Sequence, residues 1–131
     1  MQNLYIAAPT HSQYAALAAF DESTREILHQ RRDDFKRRRD VLYEGLRSLG
    51  FVMTHKPQGA FYIYVDCSAF TDDSYTFALS LLEKAGVAVT PGKDFGVSDP
   101  ERHLRFAYTT SMESIELGLV RIKEFLGTKD S

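Results

Sequence analysis

The stretch from Ser23 to Ser48 constrains the fold more than any other part of this chain. Leu28, Phe35, Leu42, Leu46 and Leu49 recur at three- and four-residue spacing, which puts them on one face of a helix. Gly50 follows as a C-terminal stop. The remaining faces carry Arg31, Arg32, Lys36, Arg37, Arg38 and Arg39, interleaved with Asp33, Asp34 and Asp40. Asp33 with Arg37, and Asp34 with Arg38, are favourable four-apart pairs. A long helix over residues 23–48, apolar on one side and charged on the others, needs a partner surface for its apolar stripe. The rest of the chain has to supply it.

Upstream, Leu4 to Thr10 reads as extended or looped, because Ala8 precedes Pro9 and is biased away from helix. Thr10 or Ser12 is a candidate cap for an alanine-rich helix from Gln13 to Phe20. Downstream, shorter elements alternate. Phe51 to His55 reads as a strand, Pro57-Gln58-Gly59 as a turn, and Ala60 to Asp66 as a strand rich in aromatic and branched residues. Asp72 or Asp73 caps a helix whose buried face is predicted to hold Tyr75, Ala78, Leu79, Leu82 and Ala85, with Gly86 ending it. Val87 to Thr90 and Leu104 to Tyr108 are two further strands, separated by a loop from Pro91 to Glu101. A capping box, Thr110-Ser111-Met112-Glu113, opens a last helix with Ile115, Leu119, Ile122 and Leu126 on its buried stripe. Residues 127–131 are expected to fray. This order predicts an α+β fold, an α/β sandwich in which helices pack on a small, mostly antiparallel sheet.

At 131 residues, with no repeat or linker, the chain is expected to form a single domain with a sizeable core. A net charge of −2 argues against a protein built mainly to hold nucleic acid. No apolar run approaches the ~20 residues of a membrane span, and the start lacks the pattern of a signal peptide. The single cysteine, Cys67, cannot form an intramolecular disulfide, which favours a reducing, cytoplasmic setting.

Most candidate chemistry dissolves on inspection. His11, His29, His55 and His103 have no metal-ligand spacing, so no metal is expected. Cys67 lies at a strand end with no histidine near it in sequence, where a small apolar cysteine is common. Gly92-Lys93 lacks the flanking residues of a phosphate loop. The basic run of the long helix, broken by aspartates, reads as a solvated face more readily than as a phosphate surface.

Arg105 stands apart. It lies inside an apolar strand, where a charge is costly unless paired. An edge position or internal salt bridge is one explanation. A carboxylate receptor is the other, because the guanidinium fork matches a carboxylate in bidentate fashion.

Several motifs, in this order and spacing, resemble the C-terminal part of class I/II, fold-type-I aminotransferases, the aspartate aminotransferase-like enzymes dependent on pyridoxal 5′-phosphate. They are Pro57-Gln58-Gly59-Ala60-Phe61-Tyr62, Val87 to Gly92 with Phe95-Gly96, Leu104-Arg105-Phe106-Ala107 with Ser111, and Gly118-Leu119 with Arg121-Ile122. The opening stretch, Ala8-Pro9-Thr10 with Ser12-Gln13, is similar to the region that follows the family's catalytic lysine. The resemblance covers essentially the whole chain.

The resemblance implies the small domain of an enzyme that moves an amino group between an amino acid and a 2-oxo acid. It implies that Arg105 grips the substrate α-carboxylate, that Gly59 sits where the backbone approaches substrate, and that Phe95 and Gly96 line the entrance. The long helix would link the large and small domains, and the active unit would be a cytoplasmic homodimer.

The family's Schiff-base lysine, and the acidic partner of the cofactor's ring nitrogen, precede the matching region. None of Lys36, Lys56, Lys84, Lys93, Lys123 and Lys129 lies in a Ser/Thr-rich segment like the family's lysine motif. The phosphate-binding arginine that follows that lysine is also missing. With the abrupt apolar start, this implies a fragment of a longer chain whose large domain is absent. Such a fragment is expected to be inactive and to expose apolar residues at Tyr5, Ile6, Leu17 and Phe20.

Three other readings share these features. They are a carbon–sulfur lyase or decarboxylase on the same scaffold, an aminotransferase-like effector domain of a transcription regulator, and a stand-alone interaction domain using the basic helix.

Overall fold

The computed structural model describes residues 7–94 and 99–127. They fall into two compact units, one running to Asp34 and the other from Phe35 onward. Helix α1 (Thr10–Ala18) lies in the first, α2 (Glu22–Ser48) begins there and ends in the second, and every other element belongs to the second.

In the first unit, α1 starts without a side-chain cap, and Pro9 takes the cap position. The Pro9 carbonyl accepts from the amides of Ser12 at 2.9 Å and Gln13 at 3.1 Å, so neither Thr10 nor Ser12 is the cap the sequence suggested. Tyr14, Leu17 and Phe20 are exposed. Tyr5 and Ile6 lie outside the described residues. Leu28, expected on the buried stripe of α2, is about half exposed.

In the second unit, α2 delivers Leu42 and Leu46 to the core, with Phe35 and Leu49 half-buried against it. Its end is built as the sequence predicts. Gly50 takes φ 95°, its amide bonds to Arg47 O at 3.1 Å, and Phe51 N bonds to Leu46 O at 3.1 Å. This doubly bonded, left-handed terminus leaves Leu46 and Phe51 buried together. Arg32, in the first unit, pairs with its neighbour Asp33 at 3.1 Å.

The sheet has three antiparallel strands in the order β1-β3-β2, with β1 at Tyr62–Asp66, β2 at Thr90–Pro91 and β3 at His103–Ala107. Two predicted strands shrink. Phe51 to His55 contributes only the single bridge of Val52 to Asp66. Beyond it, Lys56 Nζ pairs with Asp40 at 3.0 Å and Pro57 O accepts from Arg39 at 3.0 Å, and these contacts hold the chain on α2 instead of along β1. Val87 to Thr90 reduces to Thr90–Pro91, because the Val87 amide closes the preceding helix by bonding to Leu81 O at 3.1 Å.

Helix α3 (Ser74–Ser80) is capped by Asp73, whose carboxylate accepts from Tyr75 N at 3.1 Å. It widens into a π-helical turn at Leu81–Ala85 and stops at Gly86, φ 64°. Its buried residues are Ser74, Phe77, Ala78 and Leu81, while Tyr75, Leu79 and Leu82 are exposed. The predicted face is therefore one residue out of phase. Both phases satisfy the three-and-four rule, and a polar residue, Ser74, occupies the inward position by bonding to Pro100 O at 3.1 Å.

Helix α4 (Met112–Gly127) buries Ile115 and Ile122 as expected, and Phe125 besides. Its cap is Ser111, which accepts from Ser114 N at 3.2 Å, one residue later than the Thr110–Glu113 box. Leu119 packs directly on the α2 backbone, since a Cβ at Gly45 would lie 2.3 Å from its Cδ1.

Candidate functional site

Strand alternation sorts the sheet into two faces. Ile63, Val65, Leu104 and Phe106 point into the core and are buried. Tyr62, Tyr64, Asp66, His103 and Arg105 share the opposite face, half-buried, with Tyr64 opposite Arg105, Asp66 opposite His103 and Thr90 opposite Arg105 in the register.

Arg105 sits at the middle of β3, between β1 and β2. Its Nη2 lies 3.4 Å from Thr90 Oγ1, and its guanidinium carbon lies 5.3 Å from the centroid of the Tyr62 ring. The aromatic face steadies the cation without neutralising it. Of the explanations the sequence left open (an edge position, an internal salt bridge or a carboxylate receptor), the edge position does not apply, because β3 is the central strand.

Beside it, Tyr64 and His103 stack with 4.8 Å between centroids and an interplanar angle of 2°. His103 Nδ1 lies 2.8 Å from Asp99 O. A carbonyl only accepts, so Nδ1 carries the proton, which leaves Nε2 as the acceptor in the neutral ring. The Tyr64 hydroxyl is buried and has no hydrogen-bond partner among the described residues. Burial, with Cys67 nearby, pushes its pKa up. It abuts Gly92, where a Cβ would sit 2.7 Å from that hydroxyl, 2.5 Å from Pro100 O and 2.9 Å from His103 O. Glycine at 92 is therefore a steric requirement. Asp66 is pushed up by burial, but its bonds from the Ser68 hydroxyl and amide, with His103 and Arg102 nearby, outweigh that and hold its carboxyl low.

Gly59 is placed in the bend before β1, with open space on its flank. Nothing lies within 4 Å of where its Cβ would be. The left-handed residue is its neighbour Ala60, φ 66°. The carbonyls of both residues face the Tyr108 hydroxyl, at 3.3 Å for Gly59 and 3.1 Å for Ala60. Phe95 and Gly96 lie outside the described residues.

Cys67 is buried, its thiol donates to Arg102 O at 3.1 Å, and burial, reinforced by the Asp66 charge, raises its pKa to about 11. A thiol so hard to ionise is a packing residue. Among the described residues no group of three His, Cys, Asp or Glu side chains is arranged to hold a metal ion. Nor is any described helix long and apolar enough to cross a membrane.

Sequence reasoning missed Tyr62, Tyr64, His103 and Thr90 as neighbours of Arg105. The available signal was the period of two, since Tyr62, Tyr64 and Asp66 had to share a face. It missed Tyr108 because nothing local announces a contact with residues almost fifty positions away.

The fold is shared with solved aminotransferase structures. An aminotransferase from Mycobacterium tuberculosis superposes with a TM-score of 0.88 at 34% identity, over 97% of this chain and 33% of that one. A Methanococcus jannaschii protein, described as similar in its active site to kynurenine aminotransferases, gives 0.85 at 40% identity, over 95% and 32%. In sequence, the chain is 41% identical to the (5-formylfuran-3-yl)methyl phosphate transaminase of Methanocaldococcus jannaschii, over 95% of this chain and 32% of that protein. It is also 41% identical to the aspartate/prephenate aminotransferase of Thermus thermophilus, over 90% and 30%. The pattern of the family described as aminotransferase class I and II matches residues 1–122, and the chain belongs to that family. It spans about a third of the length of these relatives.

The family is generally dependent on pyridoxal 5′-phosphate, so the described residues can be tested against that group. They do not fit it. Lys56 is paired with Asp40, and Lys93 lies between Asp73 and Glu101. Lys36, Lys84 and Lys123 are exposed on helices, so no described lysine lies on the sheet face that carries Arg105.

Proposed function

We propose that this chain is the C-terminal small domain of a pyridoxal-phosphate-dependent aminotransferase, spanning residues 1–131, with residues 23–48 as the helix that links it to a large domain. The whole protein exchanges an amino group between an amino acid and a 2-oxo acid. The cofactor and the lysine that bonds to it belong to the large domain, and this fragment alone is inactive. The active unit is a cytoplasmic homodimer.

The role assigned to this chain is recognition. Arg105 receives the substrate α-carboxylate, with Gly59 and the Phe95-Gly96 segment bordering the site. The observation that carries the reading is the position of Arg105, central in the sheet, on its polar face and steadied by Tyr62, in a chain of this family. Its fork holds a carboxylate by two parallel hydrogen bonds, which fixes the substrate's orientation and leaves bond-making to groups elsewhere.

The test is Arg105→Lys in the full-length protein. Lysine keeps the charge and loses the fork. Hydrogen bonds to charged groups are worth roughly 1.5–3 kcal/mol, so amino-acid affinity measured by calorimetric titration is expected to fall about 10- to 150-fold. Unchanged affinity would refute the assignment.

A further inference from the structure

The bend from Thr54 to Phe61 borders the proposed carboxylate site, yet the sheet does little to hold it. Among the described residues, its backbone is tied at the end of β3 by the bond from Tyr108 N to Phe61 O, at 2.9 Å. Side chains hold the rest. The Tyr108 hydroxyl faces the carbonyls of Gly59 and Ala60 at 3.3 and 3.1 Å, and one phenolic proton is shared between them. Arg39 donates from Nη1 to Pro57 O at 3.0 Å, while its Nε and Nη2 grip Asp40 at 2.9 and 2.7 Å. Lys56 closes the ring by pairing with the same Asp40 oxygen at 3.0 Å.

Both anchors are themselves fixed. Tyr108 is 2% exposed and meets Phe35 edge-on at 6.1 Å, and the Arg39 side chain is 15% exposed. They hold a strained conformation, because Ala60 sits in the left-handed region that residues with a Cβ avoid. The bend runs straight into Tyr62, whose ring lies under the Arg105 guanidinium.

The geometry points to Tyr108 and Arg39 as positioning residues for the substrate site: they hold the 57–60 bend, and through it Tyr62, in the arrangement that lets Arg105 receive a carboxylate. This rests on the proposed role of Arg105, and neither residue is assigned a contact with substrate. Tyr108 follows Arg105 by three residues on the same chain segment. A single stretch therefore supplies both the carboxylate receptor and the anchor of the bend that borders it.

The experiment uses the full-length protein carrying Tyr108→Phe, Arg39→Lys or Arg105→Lys. Three readouts are taken: amide hydrogen exchange at Gly59, Ala60 and Phe61, calorimetric affinity for pyruvate, and the urea midpoint. Pyruvate is chosen because it carries the carboxylate with almost no side chain. For Tyr108→Phe, faster exchange confined to the bend and a roughly 2- to 10-fold loss of pyruvate affinity are expected, with the edge-on contact to Phe35 kept. Arg39→Lys should move both readouts in the same direction, since lysine cannot span Asp40 and Pro57 O. A merely structural role would shift the urea midpoint and leave affinity alone.

Unchanged affinity in Tyr108→Phe and Arg39→Lys, alongside a loss in Arg105→Lys, overturns the positioning role and spares the carboxylate receptor. Unchanged exchange at the bend in Tyr108→Phe overturns it as well. Full affinity in Arg105→Lys overturns the receptor, and with it the inference.

Discussion

The two faces of the three-stranded sheet are made from the same strands, residue by residue in alternation, and they are opposite in character. On one face Ile63, Val65, Leu104 and Phe106 are buried among Leu46, Leu81 and Ile122. On the other, Tyr62, Tyr64, Asp66, His103 and Arg105 stay half-exposed, arranged in stacked and cation–aromatic pairs. A strand in a two-layer fold has one face to spend on stability, and the other is free to hold groups that would be costly inside a core. Cys67 belongs to the first face by the same alternation, and its raised pKa agrees with that placement.

The comparison breaks most sharply through the core face. Phe106→Ala removes a buried ring that meets Phe51 edge-on at 5.6 Å, and is expected to cost about 3–5 kcal/mol in urea unfolding. On the polar face, Tyr64→Phe removes a buried hydroxyl without a described partner and is expected to leave stability unchanged or higher, to within about 1 kcal/mol. Equal losses from the two substitutions would erase the distinction between the faces.

Gly92→Ala tests where the polar face meets its neighbouring loop. The new methyl would fall 2.5 Å from Pro100 O, a backbone atom that cannot swing aside. Overpacking of this kind is expected to cost about 1–3 kcal/mol in the same assay. A neutral result would mean that the 91–102 loop yields easily.

A further difference on the polar face is electrostatic. Asp66 is held below its ordinary value of 3.8 because its bonds from Ser68 and nearby positive charge outweigh burial. The folded state thus favours the carboxylate, so this contribution is complete above the unfolded pKa and is lost as pH falls through the lower folded pKa. Stability measured from pH 5 to pH 2 should decline less steeply in Asp66→Asn than in the parent. Identical slopes would show that Asp66 is not coupled to folding.

Much of the architecture was legible in the residues themselves. The three-and-four spacing of Leu42, Leu46 and Leu49, followed by Gly50, announces the end of α2, and the left-handed glycine with its paired bonds is what forms there. Alternation from Tyr62 to Asp66 announces a strand with two unlike faces. The α3 phase was not legible, because Ser74 hides its hydroxyl on a carbonyl 26 residues away, and no local pattern encodes that partner. The short strands at Phe51 to His55 and Val87 to Thr90 failed for a related reason. Residues with strand propensity pair only where a neighbouring edge offers free bonds, and here those amides or flanking side chains were engaged elsewhere.

At the candidate site the division is similar. Arg105 stood out in the sequence because a charge inside an apolar strand demands a reason, and that demand is local. Gly59 was expected, from the family resemblance, to border the substrate; that the left-handed conformation beside it falls on Ala60, whose carbonyl faces Tyr108 from across the chain, had no local signal. The sequence by itself determined the elements whose signals are short-ranged: helix periodicity, strand alternation, glycine termini and the misplaced charge. Only the tertiary structure decided which face of α3 turns inward, which strands find partners, and which side chains steady Arg105 and the bend beside it. Those choices depend on contacts between residues far apart in the chain, whose energies no local pattern contains.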